Sequence, residues 1–243
     1  MKKLYQKSEI WFSVAWIAAY CVLASLADNL SAELGIEKVI TLPVLLFLSA
    51  LALAFVKNNG LLERYGICKA RLSARKMLFY APLFILITAN MWNGLAINLS
   101  PIESALYILS MLFVGFLEEI IFRGFLFGAM LKDSPKAAII VSSVTFGIGH
   151  IINLINGSGA ELIPNLLQVV YAIAAGFMFV MIYYKGKSLI PCIITHGVFN
   201  ALSVFANEVM TLEYRIISCA LITVISSAYA IYLALLRTEE ENI

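Results

Sequence analysis

Two adjacent carboxylates and one guanidinium lie inside an otherwise apolar run of the sequence. Glu118, Glu119 and Arg123 fall within residues 105–131, a run long enough to cross a bilayer as a helix. A charge at the centre of a membrane helix costs about 3 kcal/mol on insertion scales, so these three side chains must face a protected polar interior. Glu119 and Arg123 are four residues apart and can pair along one helix face, whereas Glu118 has no obvious partner in its own helix.

The 2 histidines of the chain, His150 and His196, also lie within apolar runs. Asn200 follows His196 by four residues and therefore projects from the same helix face. A lone histidine on an apolar face is usually a satisfied core residue. Counting about 1.5 Å per residue along each predicted helix, however, places these three polar side chains, Glu118 and Arg123 within about two helical turns of one depth. This agreement favours a shared site.

The residue types of this set are suited to two kinds of chemistry. A carboxylate in an apolar cavity can take a proton from water, and an imidazole can hold the same water or pass the proton on. Histidine and asparagine donors can stabilise an oxyanion. The same His and Glu side chains could hold a zinc ion, and buried charges also bind ions in transporters. From residue types alone, hydrolysis by activated water and ion binding both remain open.

The composition predicts an integral membrane protein. Of the 243 residues, 62% are hydrophobic and 13% are charged, and the mean hydropathy is +0.92, whereas soluble domains are nearer half apolar and a quarter charged. The net charge is +2, and no basic run with interleaved aromatic residues indicates a nucleic-acid partner. The cysteines have no CxxC spacing, which supports neither a zinc knuckle nor a disulfide framework. They are Cys21, Cys68, Cys192 and Cys219.

Eight apolar runs predict an all-α, polytopic membrane helix bundle that forms one domain over residues 1–243. The runs are residues 10–27, 39–56, 76–97, 105–131, 137–155, 163–184, 188–206 and 214–236. The first run ends in a sequence that resembles a signal-peptide cleavage site, but it is longer than the usual signal core, which favours a retained span. The loops alternate between basic and acidic along the chain, which predicts that both termini are cytoplasmic in a multi-pass protein of the cell membrane.

The polar segments outside these runs include the longest loop, the seventh loop and the tail. Residues 57–75 form the longest polar segment, which is predicted to be a solvated connector, with an interfacial amphipathic helix as the alternative. Glu208 is among the acidic residues of the seventh loop, and the short acidic tail at residues 237–243 is predicted to be frayed.

Three motifs together resemble those of the CPBP intramembrane proteases, also called the Abi family, or CAAX protease and bacteriocin-processing proteins. Glu118-Glu119-x-x-x-Arg123, Phe146-x-x-x-His150 and His196-x-x-x-Asn200 stand in this order on separate predicted helices, within residues 103–206. The resemblance implies an eight-helix fold. It also implies an endopeptidase that cuts peptide bonds within or at the membrane.

The resemblance also implies a role for each residue of the motifs. Glu118 would activate water as the general base, with His150 beside it. His196 and Asn200 would form the oxyanion hole, and the pair of Glu119 and Arg123 would orient the site. The family is understood as glutamate-type proteases that need no cofactor, and the sequence has no HExxH signature, although a divalent metal such as zinc stays an alternative.

The implied partner is a membrane-associated peptide or protein, together with the lipid bilayer; the sequence indicates no oligomeric state. The short chain resembles bacterial members, which predicts the bacterial plasma membrane. Such members are associated with peptide or bacteriocin maturation, self-immunity and the regulation of surface proteins.

Two other interpretations remain. A non-catalytic membrane scaffold or transporter could bury the same charges around an ion, although the internal repeats and broken helices common in transporters are not visible in the sequence. A thiol protease could use Cys192, four residues before His196 on one face. Cys192 lies near the predicted helix end, however, and would leave the two glutamates unexplained.

Overall fold

The computed structural model describes residues 1–157, 159–207 and 209–236, so the predictions for Glu208 and for the tail at 237–243 fall outside the described residues. The α-helices, in chain order, are α1 (Lys2–Lys7), α2 (Glu9–Glu33), α3 (Thr41–Asn58), α4 (Ala81–Ile87), α5 (Pro101–Glu119), α6 (Gly128–Leu131), α7 (Pro135–Gly149), α8 (Leu162–Gly186), α9 (Ile190–Leu202) and α10 (Leu212–Leu235). Within the described ranges there is no strand, only an isolated bridge between Leu95 and Ala206. The all-α prediction is confirmed.

Six helical segments are long and apolar enough to cross a membrane. They are Glu9–Glu33, Thr41–Asn58, Pro101–Leu131, Pro135–Leu154, Leu162–Gly186 and Leu212–Leu235. The other two predicted spans form shorter apolar segments, Leu78–Met91 and Ile190–Phe205. The chain is therefore a multi-pass membrane protein, whereas eight crossings and cytoplasmic termini stay predictions.

The third apolar run is not the continuous helix that the sequence predicts. It divides into a 3₁₀ turn at Leu78–Tyr80, helix α4 and a second 3₁₀ turn at Ala89–Met91. The backbone of the first turn has positive φ angles of 50° to 59°, which L-residues rarely adopt. Pro82 then occupies the first turn of α4, where its missing N–H is tolerated. The break in this segment is not expected from the sequence.

Helix α5 begins in a capping box and continues through a stretch of π-helix. The Oγ of Ser100 accepts from the backbone N–H of Glu103, whose carboxylate reaches back to the N–H of Ser100. Beyond Glu119 the helix widens into π-helix at Ile120–Phe127, and all of these residues are buried. The hydroxyl of Ser142 on α7 donates to the carbonyl of Phe122 at 2.8 Å, which satisfies a backbone acceptor inside this rarer geometry. π-helical turns are frequent at functional sites.

Aromatic side chains pack α2 and the loop after α3 against the π-helical stretch. The ring of Phe125 lies at the centre of this cluster, 5.1 Å from the ring of Phe12 and 5.2 Å from that of Tyr65. Trp16 of α2 lies 5.8 Å from the same ring. This packing fixes helix α2, which lies outside the three motifs, against the helix that carries the glutamates.

The segment from 59 to 77 forms turns rather than the alternative interfacial helix. It is not simply a solvated connector either, because Tyr65 and Met77 are 1% and 0% exposed. The carbonyl of Gly66 accepts from the N–H of Leu189 at 2.7 Å, and the N–H of Arg71 donates to the carbonyl of Gly186 at 2.9 Å. The segment thus packs across the end of the bundle where α8 ends and α9 begins.

Candidate active site

The carboxylate of Glu119 joins α5 to α9. Its Oε1 atom accepts from Nη1 of Arg123 at 3.0 Å and lies 2.8 Å from Nδ1 of His196. Glu119 and Arg123 are 0% exposed and His196 is 6% exposed. The predicted ion pair is therefore present, and it holds a histidine as well. Because a carboxylate accepts, the Nδ1 atom of His196 carries hydrogen, which leaves Nε2 facing the other glutamate.

Glu118 meets two side chains from other helices. The hydroxyl of Tyr20, on α2, donates to Oε1 of Glu118 at 2.8 Å. The second carboxylate oxygen, Oε2, lies 3.4 Å from Nε2 of His196 and has no hydrogen-bond partner among the described residues. One oxygen of Glu118 is thus fixed, and the other is free to accept a proton.

Two aromatic rings enclose His196 and Arg123. The guanidinium of Arg123 lies 4.0 Å from the centroid of the Phe146 ring and 5.5 Å from that of Phe179. The imidazole of His196 stacks on Phe179 at 5.8 Å and meets the edge of Phe146 at 5.6 Å. The rings exclude water around the charged groups, and their faces attract the guanidinium.

Two glycines let α5 and α9 approach closely enough for these contacts. A Cβ atom placed on Gly115 would overlap the backbone of Gly197, and one on Gly197 would lie 3.3 Å from the Cα atom of Leu112. Gly115 lies one turn before Glu119, and Gly197 directly follows His196. The close helix crossing therefore sets the distance between the carboxylate and the imidazole.

His150 lies where α7 gives way to a 3₁₀ turn, His150–Leu154. The side-chain amide of Asn165 donates to the carbonyl of His150 at 2.9 Å and fixes this helix end. His150 lines a cavity of about 120 Å³ together with Tyr20 and Glu118. It makes no hydrogen bond to Glu118 itself, so the imidazole and the carboxylate face each other across the cavity.

Asn200 lies on α9 one turn after His196. Both residues line a second cavity, of about 60 Å³, in which His150 takes part as well. The side-chain amide of Asn200 has no protein hydrogen-bond partner among the described residues. The structure therefore brings all six predicted residues to one region. Glu118 lies beside His196, His196 contacts Glu119, and Glu119 pairs with Arg123. His150 and Asn200 lie on the walls of the adjoining cavities.

Sequence reasoning missed the contributions of Tyr20, Phe179 and Asn165. Tyr20 stands alone in an apolar run, and a single tyrosine in a membrane helix carries no spacing signal. Phe179 resembles any core aromatic residue. Asn165 is a polar residue in an apolar run and could have been noted as such, but its partner is a backbone carbonyl on another helix.

Two glycines of α7 and the thiol of Cys192 lie near the site. Gly147 serves helix packing, because a Cβ atom there would overlap Ile173 of α8, whereas a Cβ on Gly149 would meet nothing within 4 Å. The thiol of Cys192 is buried and donates to the carbonyl of Phe179 at 3.4 Å rather than to His196. Among the described residues, no group of three or more His, Cys, Asp or Glu side chains is placed to hold a metal ion.

Comparison with known proteins decides the family of this part of the chain. The family model described as type II CAAX prenyl endopeptidase Rce1-like matches residues 100–202. These residues belong to the CAAX protease family. The resemblance drawn from the three motifs is thus confirmed, and the family is one of membrane endopeptidases. No curated protein matches the chain, and no solved structure matches it.

The CAAX protease segment contains every residue of the three motifs. It does not include Tyr20, which lies on α2, well before residue 100. The site seen in the structure is therefore wider than the matched segment.

Proposed function

We propose that this protein is an intramembrane endopeptidase of the plasma membrane of a bacterial cell, which hydrolyses peptide bonds of membrane-associated peptides or proteins. Glu118 is the general base, assisted by His150. His196 and Asn200 form the oxyanion hole, and Glu119 with Arg123 orients His196. The protease acts as a glutamate-type enzyme.

One observation carries this proposal: the free Oε2 atom of Glu118 faces Nε2 of His196 at 3.4 Å beside cavities that His150 and Asn200 line. A base, a proton carrier and two donors thus line two small cavities that share His150. A scaffold that only needed to neutralise buried charge would be served by Glu119 and Arg123 alone.

The reaction follows from these positions. Oε2 of Glu118 takes a proton from water while the water oxygen bonds to the peptide carbonyl carbon. The amide of Asn200 and the imidazole of His196 donate to the oxygen that becomes negative. Nε2 can donate only when it carries hydrogen. The C–N bond then breaks, and the proton held by Glu118 passes to the leaving amine.

The test uses purified protein in detergent with a diverse library of apolar and amphipathic peptides, and reads cleavage by mass spectrometry. Wild type, wild type with a chelator, and Glu118→Gln are compared. Glu33→Gln is the matched control, because Glu33 is an exposed carboxylate at the end of α2.

We expect wild type and Glu33→Gln to cleave the same bonds, and Glu118→Gln to retain less than about 10% of that activity, since general base catalysis contributes at least about 100-fold. Equal cleavage by Glu118→Gln would exclude Glu118 as the base. Loss of cleavage with the chelator would favour the metal-dependent alternative. Cleavage in none of the samples would favour the scaffold or transporter.

A further inference from the structure

A cavity of about 430 Å³ lies beside the candidate site and is larger than the two cavities at the site itself. The beginnings of α8 and α10, the end of α9 and the second 3₁₀ turn of the broken segment surround it. Its polar lining includes Asn90, Asn93, Glu161, Asn165, Gln168 and Arg215.

This large cavity adjoins the site. It shares four lining residues with the cavity of about 60 Å³ that His150, His196 and Asn200 line. The shared residues are Gln168, Tyr171, Phe199 and Ile222. A chain that enters the large cavity therefore reaches the two histidines past these four side chains.

The lining suits an extended peptide segment. Asn165 is 2% exposed and uses its NH₂ group on the carbonyl of His150, while its Oδ1 atom has no hydrogen-bond partner among the described residues. Such a buried acceptor can take a peptide N–H, and amide side chains both donate to and accept from a peptide backbone. Arg215 is half-buried and has no partner in the part of the chain that the structure describes.

The large cavity opens at one identifiable end of the bundle, which we name the cavity end. Among the described residues, this end comprises the loop segments at 34–40, 92–100, 155–157, 159–161, 206–207 and 209–211. The bridge between Leu95 and Ala206 joins two of these segments. The N–H of Glu37 donates to Oε1 of Glu103 on α5 at 3.3 Å, and the side-chain amide of Asn156 donates to Oγ of Ser25 on α2 at 3.4 Å.

The opposite end, which we name the basic end, carries the beginning of α2 and the end of α10. Here Arg64 pairs with Glu9, Lys132 lies 3.9 Å from Glu9, and Lys185 donates to the carbonyl of Leu236 at 2.9 Å. The basic residues of this end are Lys2, Lys3, Lys7, Lys57, Arg64, Lys69, Arg71, Arg75, Lys76, Lys132, Lys136, Lys185 and Lys187. Among the described residues, the only lysine at the cavity end is Lys38, and the only arginine beside it is Arg215 at the beginning of α10. Lysine and arginine accumulate on the cytoplasmic side of membrane proteins.

We infer that the large cavity is the substrate entrance and that it faces away from the cytoplasm. This inference rests on the proposed function and names its substrate class: an extended peptide, or an extended segment of a membrane protein, that is exposed on the extracytoplasmic side. The scissile bond reaches Glu118 and the histidines from that side.

The test labels single new cysteines with a bulky, membrane-impermeant maleimide, in intact cells and in inverted membrane vesicles. Ser218→Cys lies within the large cavity, Ala160→Cys lies at its exposed rim, and Ser73→Cys is an exposed control at the basic end. Labelling of the wild-type chain, which has no new cysteine, measures the reaction of the native cysteines. Each labelled protein is then purified and tested on a peptide that the library identified.

We expect Ser218→Cys and Ala160→Cys to label in intact cells and Ser73→Cys only in inverted vesicles. Labelled Ser218→Cys should lose at least tenfold in cleavage rate, while labelled Ser73→Cys keeps its rate. Labelling of both cavity positions only in inverted vesicles would show that the large cavity faces the cytoplasm. A full cleavage rate of labelled Ser218→Cys would show that the large cavity is not the substrate entrance. If wild type cleaves no peptide, the proposed function fails, whereas the side of labelling still decides the orientation.

Discussion

Glu118 is held by side chains that come from two other helices. Tyr20 of α2 fixes one carboxylate oxygen at 2.8 Å, and His196 of α9 faces the other at 3.4 Å. A carboxylate that must accept a proton at one oxygen benefits when the other is fixed, because the side chain then keeps one rotamer. At this scale the structure supports Tyr20 as a positioning residue for the proposed base.

We predict that Tyr20→Phe lowers kcat by about tenfold, which corresponds to about 1.4 kcal/mol, with little change in KM. The ring stays in place while the hydrogen bond to Glu118 is lost. Steady-state cleavage kinetics and the melting temperature in detergent measure the effect. Tyr229→Phe is the control, because Tyr229 is buried and donates to the carbonyl of Met77 at 2.7 Å, away from the site. Tyr229→Phe should lose stability but not kcat; an unchanged kcat in Tyr20→Phe would contradict the positioning role.

The buried ion pair gives a second prediction at the residue scale. Arg123→Met should destabilise the protein by about 3–5 kcal/mol, because it leaves the carboxylate of Glu119 uncompensated at 0% exposure. Adding Glu119→Gln should restore part of the lost stability, since the stranded charge is then removed, but it should not restore cleavage. Thermal unfolding of both single variants and the double variant in detergent measures the coupling free energy between Arg123 and Glu119. Additive destabilisation in the double variant would show that the pair has no structural role.

Helix α5 and the crossing helix α9 determine the site at the scale of elements. Their contact depends on Gly115 and Gly197, which allow the backbones of the two helices to pack directly against each other near Glu119 and His196. The π-helical stretch after Glu119 widens the helix, and Arg123 still reaches back to Glu119 at 3.0 Å. The ion pair thus spans the junction between two helix geometries.

We expect Gly115→Ala to reduce cleavage by about 100-fold, because the added Cβ atom displaces α9 and a misplacement of about 1 Å can cost that much. Overpacking of this kind also costs about 1–3 kcal/mol of stability. Gly186→Ala is the matched helix control, since its Cβ would lie 3.7 Å from the methyl group of Met77. Cleavage assays and melting temperatures of both variants provide the measurement. Normal activity in Gly115→Ala would mean that the crossing can widen without harm to the site.

The whole molecule extends the site beyond the CAAX protease segment at residues 100–202. Helix α2 contributes Tyr20 and packs Phe12 and Trp16 against Phe125. Helix α10 and the broken segment contribute walls of the large cavity. The matched residues therefore hold the motifs, while the other helices enclose and position them.

Removal of residues 1–33 should abolish detectable cleavage. The truncation takes away the hydrogen bond to Glu118 and exposes the aromatic cluster around Phe125 to lipid. Co-expression of residues 1–58 as a separate chain should restore part of the activity, because membrane helices can insert independently and then associate. Cleavage in membranes that contain one or both pieces is the measurement. Undiminished activity of the truncated chain would show that α2 is dispensable.

Much of this protein could be predicted from its sequence because a bilayer restricts the possibilities so strongly. Apolar runs of sufficient length must form helices, and charges within them must face a protected interior, so the all-α membrane fold follows from composition and spacing. The six residues of the candidate site are predicted from residue types, their common depth and the resemblance of the three motifs. The pairing of Glu119 with Arg123 is local and follows from a separation of four residues.

Only the tertiary structure decided which side chains meet from different helices. The bond from Tyr20 to Glu118 spans 98 positions in the chain, and the contact between Glu119 and His196 spans 77. Such contacts depend on helix crossings, which glycines such as Gly115 permit but whose partners no local pattern specifies. The broken third span, the π-helical stretch and the cavities likewise arise where packing between helices overrides the intrinsic preference of a single segment.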